Sequence, residues 1–97
     1  MIALSQGADL LVDTSGELTV THDTHKLYYS GGSSAVDTVN PPSPAFSGKV
    51  LFFNNDVTEE SVVFTTGGNI GRESVCEFGT ALELYYNATL GLWFPLS

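Results

Sequence analysis

At 97 residues the chain has room for one domain with a modest core. Only 14% of residues are charged, and three cations (Lys26, Lys49 and Arg72) stand against eleven carboxylates for a net charge of −8. Neutralising phosphate needs clusters of Lys and Arg, so the chain is expected to bind neither nucleic acid nor anionic membrane. With so few charges, the surface is built largely from Ser, Thr, Asn and Gly, a composition common on extracellular and virion-exposed β-proteins. The acidic residues are dispersed and read as solvated surface.

In chain order, the amino-terminal Met1-Ile2-Ala3-Leu4-Ser5 lacks the basic region and long apolar stretch of a signal peptide. No segment reaches the ~20 apolar residues of a spanning helix. The protein is therefore expected to be made in the cytoplasm and not exported conventionally. Helical periodicity is nearly absent, and β-branched and aromatic residues cluster in short runs between turn signals. Asp9 to Asp13 and Glu17 to His22 predict a first hairpin, closed by Thr14-Ser15-Gly16, with Leu18 and Val20 on one face. Lys26 to Ser30 predicts a third strand, ending at Gly31-Gly32-Ser33-Ser34.

The stretch 31–48 reads as an irregular Pro/Ser/Gly-rich arm around Asn40-Pro41-Pro42-Ser43-Pro44, since proline removes an amide proton and restricts its predecessor. Two readings stand open. The arm reaches a neighbouring subunit through Phe46, or it is a surface loop with Phe46 tucked into its own core. Lys49 to Asn54 follows as a strand buried on both faces, then Ser61 to Thr66, Glu73 to Phe78, Thr80 to Tyr86 and Leu92 to Leu96. Pro95 argues for an edge position. About eight short strands predict an all-β fold, a single antiparallel β-sandwich or jelly-roll-like domain over 1–97.

No catalytic constellation is apparent, and the chain is expected to be non-enzymatic, with no cofactor. His22-Asp23-Thr24-His25 is the only grouping suggestive of a metal site, but no distant ligand joins it, and it reads better as a polar hairpin turn. Glu59-Glu60 sits in a polar turn, and Glu77 with Glu83 lies on strands that could face solvent together; general acid–base work needs one carboxyl held in a raised-pKa setting. No Gly-x-Ser-x-Gly elbow occurs. Gly67-Gly68-Asn69-Ile70-Gly71 lacks a following helix and reads as a turn or bulge, not a phosphate loop. Asn87-Ala88-Thr89 matches a glycosylation acceptor by composition alone. Cys76, the single cysteine, allows no intrachain disulfide and reads as a small buried hydrophobe.

Four doublets carry the strongest signal: Tyr28-Tyr29, Phe52-Phe53, Tyr85-Tyr86 and Trp93-Phe94. Successive side chains of a strand point to opposite faces, so each doublet sends one ring inward and one outward. The outward rings predict a subunit or capsid interface or a platform for sugar rings; a third reading has loops covering them. The candidate interface residues are Tyr28, Tyr29, Phe46, Phe53, Tyr85 and Trp93.

The last third, from Val62-Val63-Phe64-Thr65-Thr66 through Gly79-Thr80-Ala81-Leu82-Glu83-Leu84-Tyr85-Tyr86-Asn87 to Leu92-Trp93-Phe94-Pro95-Leu96, resembles segments of tailed-bacteriophage structural proteins. In those, a strand leads to Gly, an alternating Leu-x-Leu-x-Tyr strand, a short Asn-containing turn and a closing Trp-x-Pro-Leu strand. The resemblance covers about a third of the chain. It implies that Leu82, Leu84 and Tyr86 face the core, that Trp93 covers an edge or subunit seam, and that the protein belongs to the virion. A capsid decoration (cement) protein is the reading it favours. That reading implies binding to the major capsid protein on the outer capsid surface as a homo-oligomer, with a trimer favoured. A carbohydrate-binding adhesion module or short fibre is the alternative.

Overall fold

Parallel returns, not hairpins, organise the first two-thirds of the chain. The computed structural model describes residues 3–29, 33–45, 47–55 and 60–96, with backbone only at 3–5. Within them lie eleven short strands and no helix: β1 (Ala3–Gln6), β2 (Leu10–Val12), β3 (Glu17–Thr19), β4 (His22–Tyr29), β5 (Ala35–Val36), β6 (Thr38–Asn40), β7 (Gly48–Asn54), β8 (Val62–Phe64), β9 (Ser74–Cys76), β10 (Thr80–Asn87) and β11 (Leu92–Pro95). The large sheet has the order β1-β4-β7-β10-β11, with β2 beside β4 on the same edge as β1. Two small sheets, β3-β6 and β5-β8-β9, complete the set.

The chain visits the large sheet and the small ones alternately, and each return up to β8 is parallel. β2 pairs with β4 (Leu10 opposite Leu27), β4 with β7 (Thr24 opposite Leu51), β3 with β6 (Leu18 opposite Val39) and β5 with β8 (Val36 opposite Phe64). This is a short solenoid-like coil of unequal turns, which is why no fixed period shows in the sequence. The last strands reverse it: β8–β9, β7–β10 and β10–β11 are antiparallel.

The expected all-β class holds, but in place of a single antiparallel sandwich or jelly-roll-like domain of about eight strands the described residues form three sheets with mixed pairing. The expected first hairpin is the clearest case. Gly16 does take a positive φ of 68°, and the Asp13 carboxylate accepts from the Ser15 N–H at 2.9 Å, as a turn there requires. But β2 and β3 do not pair; the turn is a corner carrying the chain from one sheet to another. Gly16 then accepts from the Asp37 and Thr38 N–H groups at 2.9 and 3.1 Å. The supposedly irregular 31–48 stretch contributes β5 and β6 and the start of β7. Phe46 lies outside the described residues.

Alternation fills one core from all three sheets: Val12, Leu27, Val50, Phe52, Leu84 and Trp93 from the large one, Leu18, Val36, Val39, Phe64 and Cys76 from the small ones. β7 is buried on one face only, with Val50, Phe52 and Asn54 inward and Lys49 and Phe53 exposed, which corrects the expectation of two buried faces. Pro95 does sit on the terminal strand of the large sheet. Residues 69–71 close over that strand: the Trp93 N–H donates to the Asn69 carbonyl at 2.9 Å, and the Gly71 N–H to the Trp93 carbonyl at 2.7 Å.

Two polar residues tie the sheets together. Asn69 clamps Val39 from across the core, its Oδ1 accepting from the Val39 N–H at 2.8 Å and its Nδ2 donating to the carbonyl at 2.7 Å. The stretch 67–71 is therefore a turn with a structural side chain. Asn54, buried at the end of β7, donates from Nδ2 to the carbonyls of Glu60 and Cys76 at 2.6 and 2.9 Å.

Cys76 is fully buried. Its Sγ lies 3.6 Å from the Phe52 carbonyl and 3.7 Å from the Thr80 carbonyl, and burial pushes its thiol above the ordinary value of 9.0. The folded thiol keeps its proton where the unfolded one loses it, so its contribution to stability is intact below the unfolded value and is lost as pH rises from there through the raised folded value. The expected result is no reaction with an aromatic disulfide reagent at pH 8 in buffer and complete reaction in denaturant. Rapid labelling of the folded protein would contradict this.

Candidate interaction face

Register decides which side chains share the outer face of the large sheet. Lys26, Phe53 and Ala81 lie in one cross-strand row; Thr24, Leu51 and Glu83 in the next; Lys49, Tyr85 and Phe94 in a third. Tyr28 stands two residues beyond Lys26 on the same face, opposite Leu11. Tyr28 and Phe53 are 44% and 37% exposed, well above what a large apolar side chain shows in a covered position. Leu11, Leu51, Tyr85 and Phe94 are half-buried by their neighbours. The Phe94 ring lies on Gly71, where a Cβ would clash with it.

Each doublet therefore divides as alternation demands. Tyr28, Phe53, Tyr85 and Phe94 point outward. Tyr29, Phe52, Tyr86 and Trp93 point inward, with Tyr29 packed at the rim of the core. Two of the predicted interface residues are accordingly reassigned. Tyr29 packs against the core, and Trp93, at 1% exposure, is a core residue covering no outer seam. Its indole Nε1–H donates to the Val39 carbonyl at 2.8 Å, and its ring meets that of Tyr86 at 4.9 Å. Leu84 and Tyr86 are buried and Leu82 packs against the core. Sequence reasoning missed Leu11, Leu51 and Phe94 as members of the outer face, because only the pairing register reveals that they stand beside the exposed rings.

Charge is sorted on this face. Both lysines of the chain lie on it, with Glu83 as the one carboxylate among its paired rows, whereas the protein as a whole carries −8. The third cation, Arg72, is in the loop before β9.

His22-Asp23-Thr24-His25 is not a turn but the first half of β4. His25 is fully buried, and its ring pins the point where the sheet edge breaks between β1 and β2. Its Nε2 accepts from the Thr21 and His22 N–H groups at 3.2 and 3.1 Å, and its Nδ1 meets the Ala8 carbonyl at 2.8 Å. Two N–H groups directed at Nε2 leave it no proton, so Nδ1 carries the proton and donates. The ring is thus committed to the backbone. No group of three or more His, Cys, Asp or Glu side chains suited to a metal ion occurs among the described residues. Glu77 is exposed just after β9, and Glu83 is half-buried on β10 of the large sheet.

No protein-family model, curated protein or solved structure matches the chain. Likewise, no helix among the described residues is long and apolar enough to cross a membrane.

Proposed function

We propose that the chain is a non-enzymatic structural subunit of a virion, a decoration protein that joins the outer capsid surface in many copies and stabilises the shell. The observation that carries this reading is the outer face of the large sheet, where the exposed rings of Tyr28 and Phe53 stand with half-buried Leu51, Tyr85 and Phe94 around only three charged side chains, Lys26, Lys49 and Glu83. Aromatic residues with few charges are the composition of interface centres, not of ordinary solvated surface. The resemblance of the last third to tailed-bacteriophage structural proteins supplies the setting. Copies bound side by side on a shell of major capsid protein gain from repetition, since each contact adds to those already made. Linkage then stabilises the assembled state.

Phe53→Ser removes an outward ring without touching the core. Its expected effect is at least a tenfold loss of retention on particles in co-sedimentation, about 1.4 kcal/mol or more, with unchanged thermal unfolding. Retention equal to wild type would remove the face from the account. Loss of retention accompanied by sugar binding on a glycan array, abolished by the same substitution, would transfer the face to the adhesion reading.

A further inference from the structure

The outer faces of the large and small sheets point away from one shared core, and they are complementary in charge. On the large sheet, Lys26 and Lys49 stand among Tyr28, Leu51, Phe53 and Tyr85. On the small sheets a cross-strand row of Ala35, Val63 and Val75 faces outward, each alternating with a buried neighbour. Val75 is 46% exposed. Exposed Asp37 directly follows β5 and exposed Glu77 directly follows β9. Exposed Glu17, on the neighbouring small sheet, stands next to Gly16, whose carbonyl accepts from the Asp37 N–H at 2.9 Å. The large-sheet face is apolar with two cations to one carboxylate, Glu83; the small-sheet side is apolar with carboxylates outnumbering its one cation, Arg72.

We infer that the occupant of the large sheet's outer face is a second copy of this chain, seated by the outer face of its small sheets. The inference rests on reading the large-sheet face as a contact surface and gives that face to contact between copies, so that Phe53→Ser loosens the protein from particles by breaking the lateral contacts through which neighbouring copies reinforce one another. A face-to-face pair would bring the lysines of both copies into one interface, whereas front-to-back contact sets Lys26 and Lys49 against Glu17, Asp37 and Glu77. Opposite charges steer and orient such a contact, while like charges across it are costly. The contact is heterologous, so it closes into a ring such as a trimer if each step turns the chain enough, and otherwise runs on as an open row. In either form, lateral contact between copies is what a coat subunit repeated over a shell requires.

The test is sedimentation velocity of the purified protein, without particles, over a concentration series reaching about 1 mM, a weak-affinity limit that still counts on a crowded surface. Wild type is expected to form a trimer or a series of larger species. The double variant Lys26→Glu with Lys49→Glu is expected to sediment as the 10.3 kDa monomer, as is Glu17→Lys with Glu77→Lys. All four positions are surface charges, and thermal unfolding of each variant checks that it folds. Mixing the two variants is expected to restore association, because each supplies one reversed face. A wild-type monomer throughout, a dimer that grows no further, or a mixture that stays monomeric overturns the inference. Particle retention separates this result from the decoration reading: monomers whose binding to particles still needs Phe53 leave that reading standing, and copies that associate but never bind particles remove it alone.

Discussion

Replacing Trp93 by alanine is expected to leave the protein largely unfolded at 37 °C. Truncating a fully buried tryptophan costs about 3–5 kcal/mol, a large share of the roughly 5–15 kcal/mol a domain possesses. Here the indole also joins three parts of the fold. It packs on Tyr86 of the neighbouring strand, its Nε1–H reaches Val39 on a small sheet, and its backbone is bracketed by Asn69 and Gly71. Trp93→Phe separates packing from hydrogen bonding. The Val39 carbonyl keeps its bond from Asn69 Nδ2, so no acceptor is orphaned, and the lost bond alone should cost about 1 kcal/mol. Urea unfolding of the two variants checks the order; an alanine variant within 1 kcal/mol of wild type, a margin well inside the ~3–5 kcal/mol expected, would remove Trp93 from the core.

The second large effect belongs to His25. Its replacement by alanine empties a fully buried site and leaves the N–H groups of Thr21 and His22 and the carbonyl of Ala8 without their ring partner. Buried groups left unpaired cost about 1–3 kcal/mol each, so a total of about 3–5 kcal/mol is expected once partial access to water is allowed. Gly7→Ala should act at the same place by a different route. A Cβ there would collide with His25 Cε1 and stand 2.7 Å from both His22 Nδ1 and His25 Nδ1, closer than real Cβ contacts come. Both variants should raise hydrogen exchange in β1 and β2 before any change reaches β10 and β11. Exchange that rises first in the closing strands would show that the ring does not hold the edge.

These two sites mark where the sequence could be read and where it could not. The strand character of 49–54 and 80–86 follows from their runs of β-branched and aromatic residues, and Leu84 and Tyr86 face the core as the resemblance implied. Trp93, expected at a seam, turns inward because the register of β11 on β10 sets it beside Tyr86. The inward and outward members of each doublet follow too, once one neighbour is known to be buried. Pairing partners do not. Thr14-Ser15-Gly16 has the chemistry of a tight turn, and a turn is what forms, but a corner between sheets and a hairpin within one make the same local demands. His22-Asp23-Thr24-His25 is polar enough to read as a loop. Only the return of the chain beside β1 and β2 places His25 in the interior, where three backbone partners satisfy its ring. The interaction face was legible as single rings and not as a surface, since Tyr85 joins Lys49 and Leu51 only through the register of β7 and β10.

The central claim, that this is a coat subunit of a virion, is most directly tested by gold-labelled antibody against the protein on intact particles from its source, viewed by electron microscopy. Even labelling over the head is the predicted result. Label confined to a tail tip or fibre would replace shell stabilisation with host adhesion, and particles without label would contradict the claim.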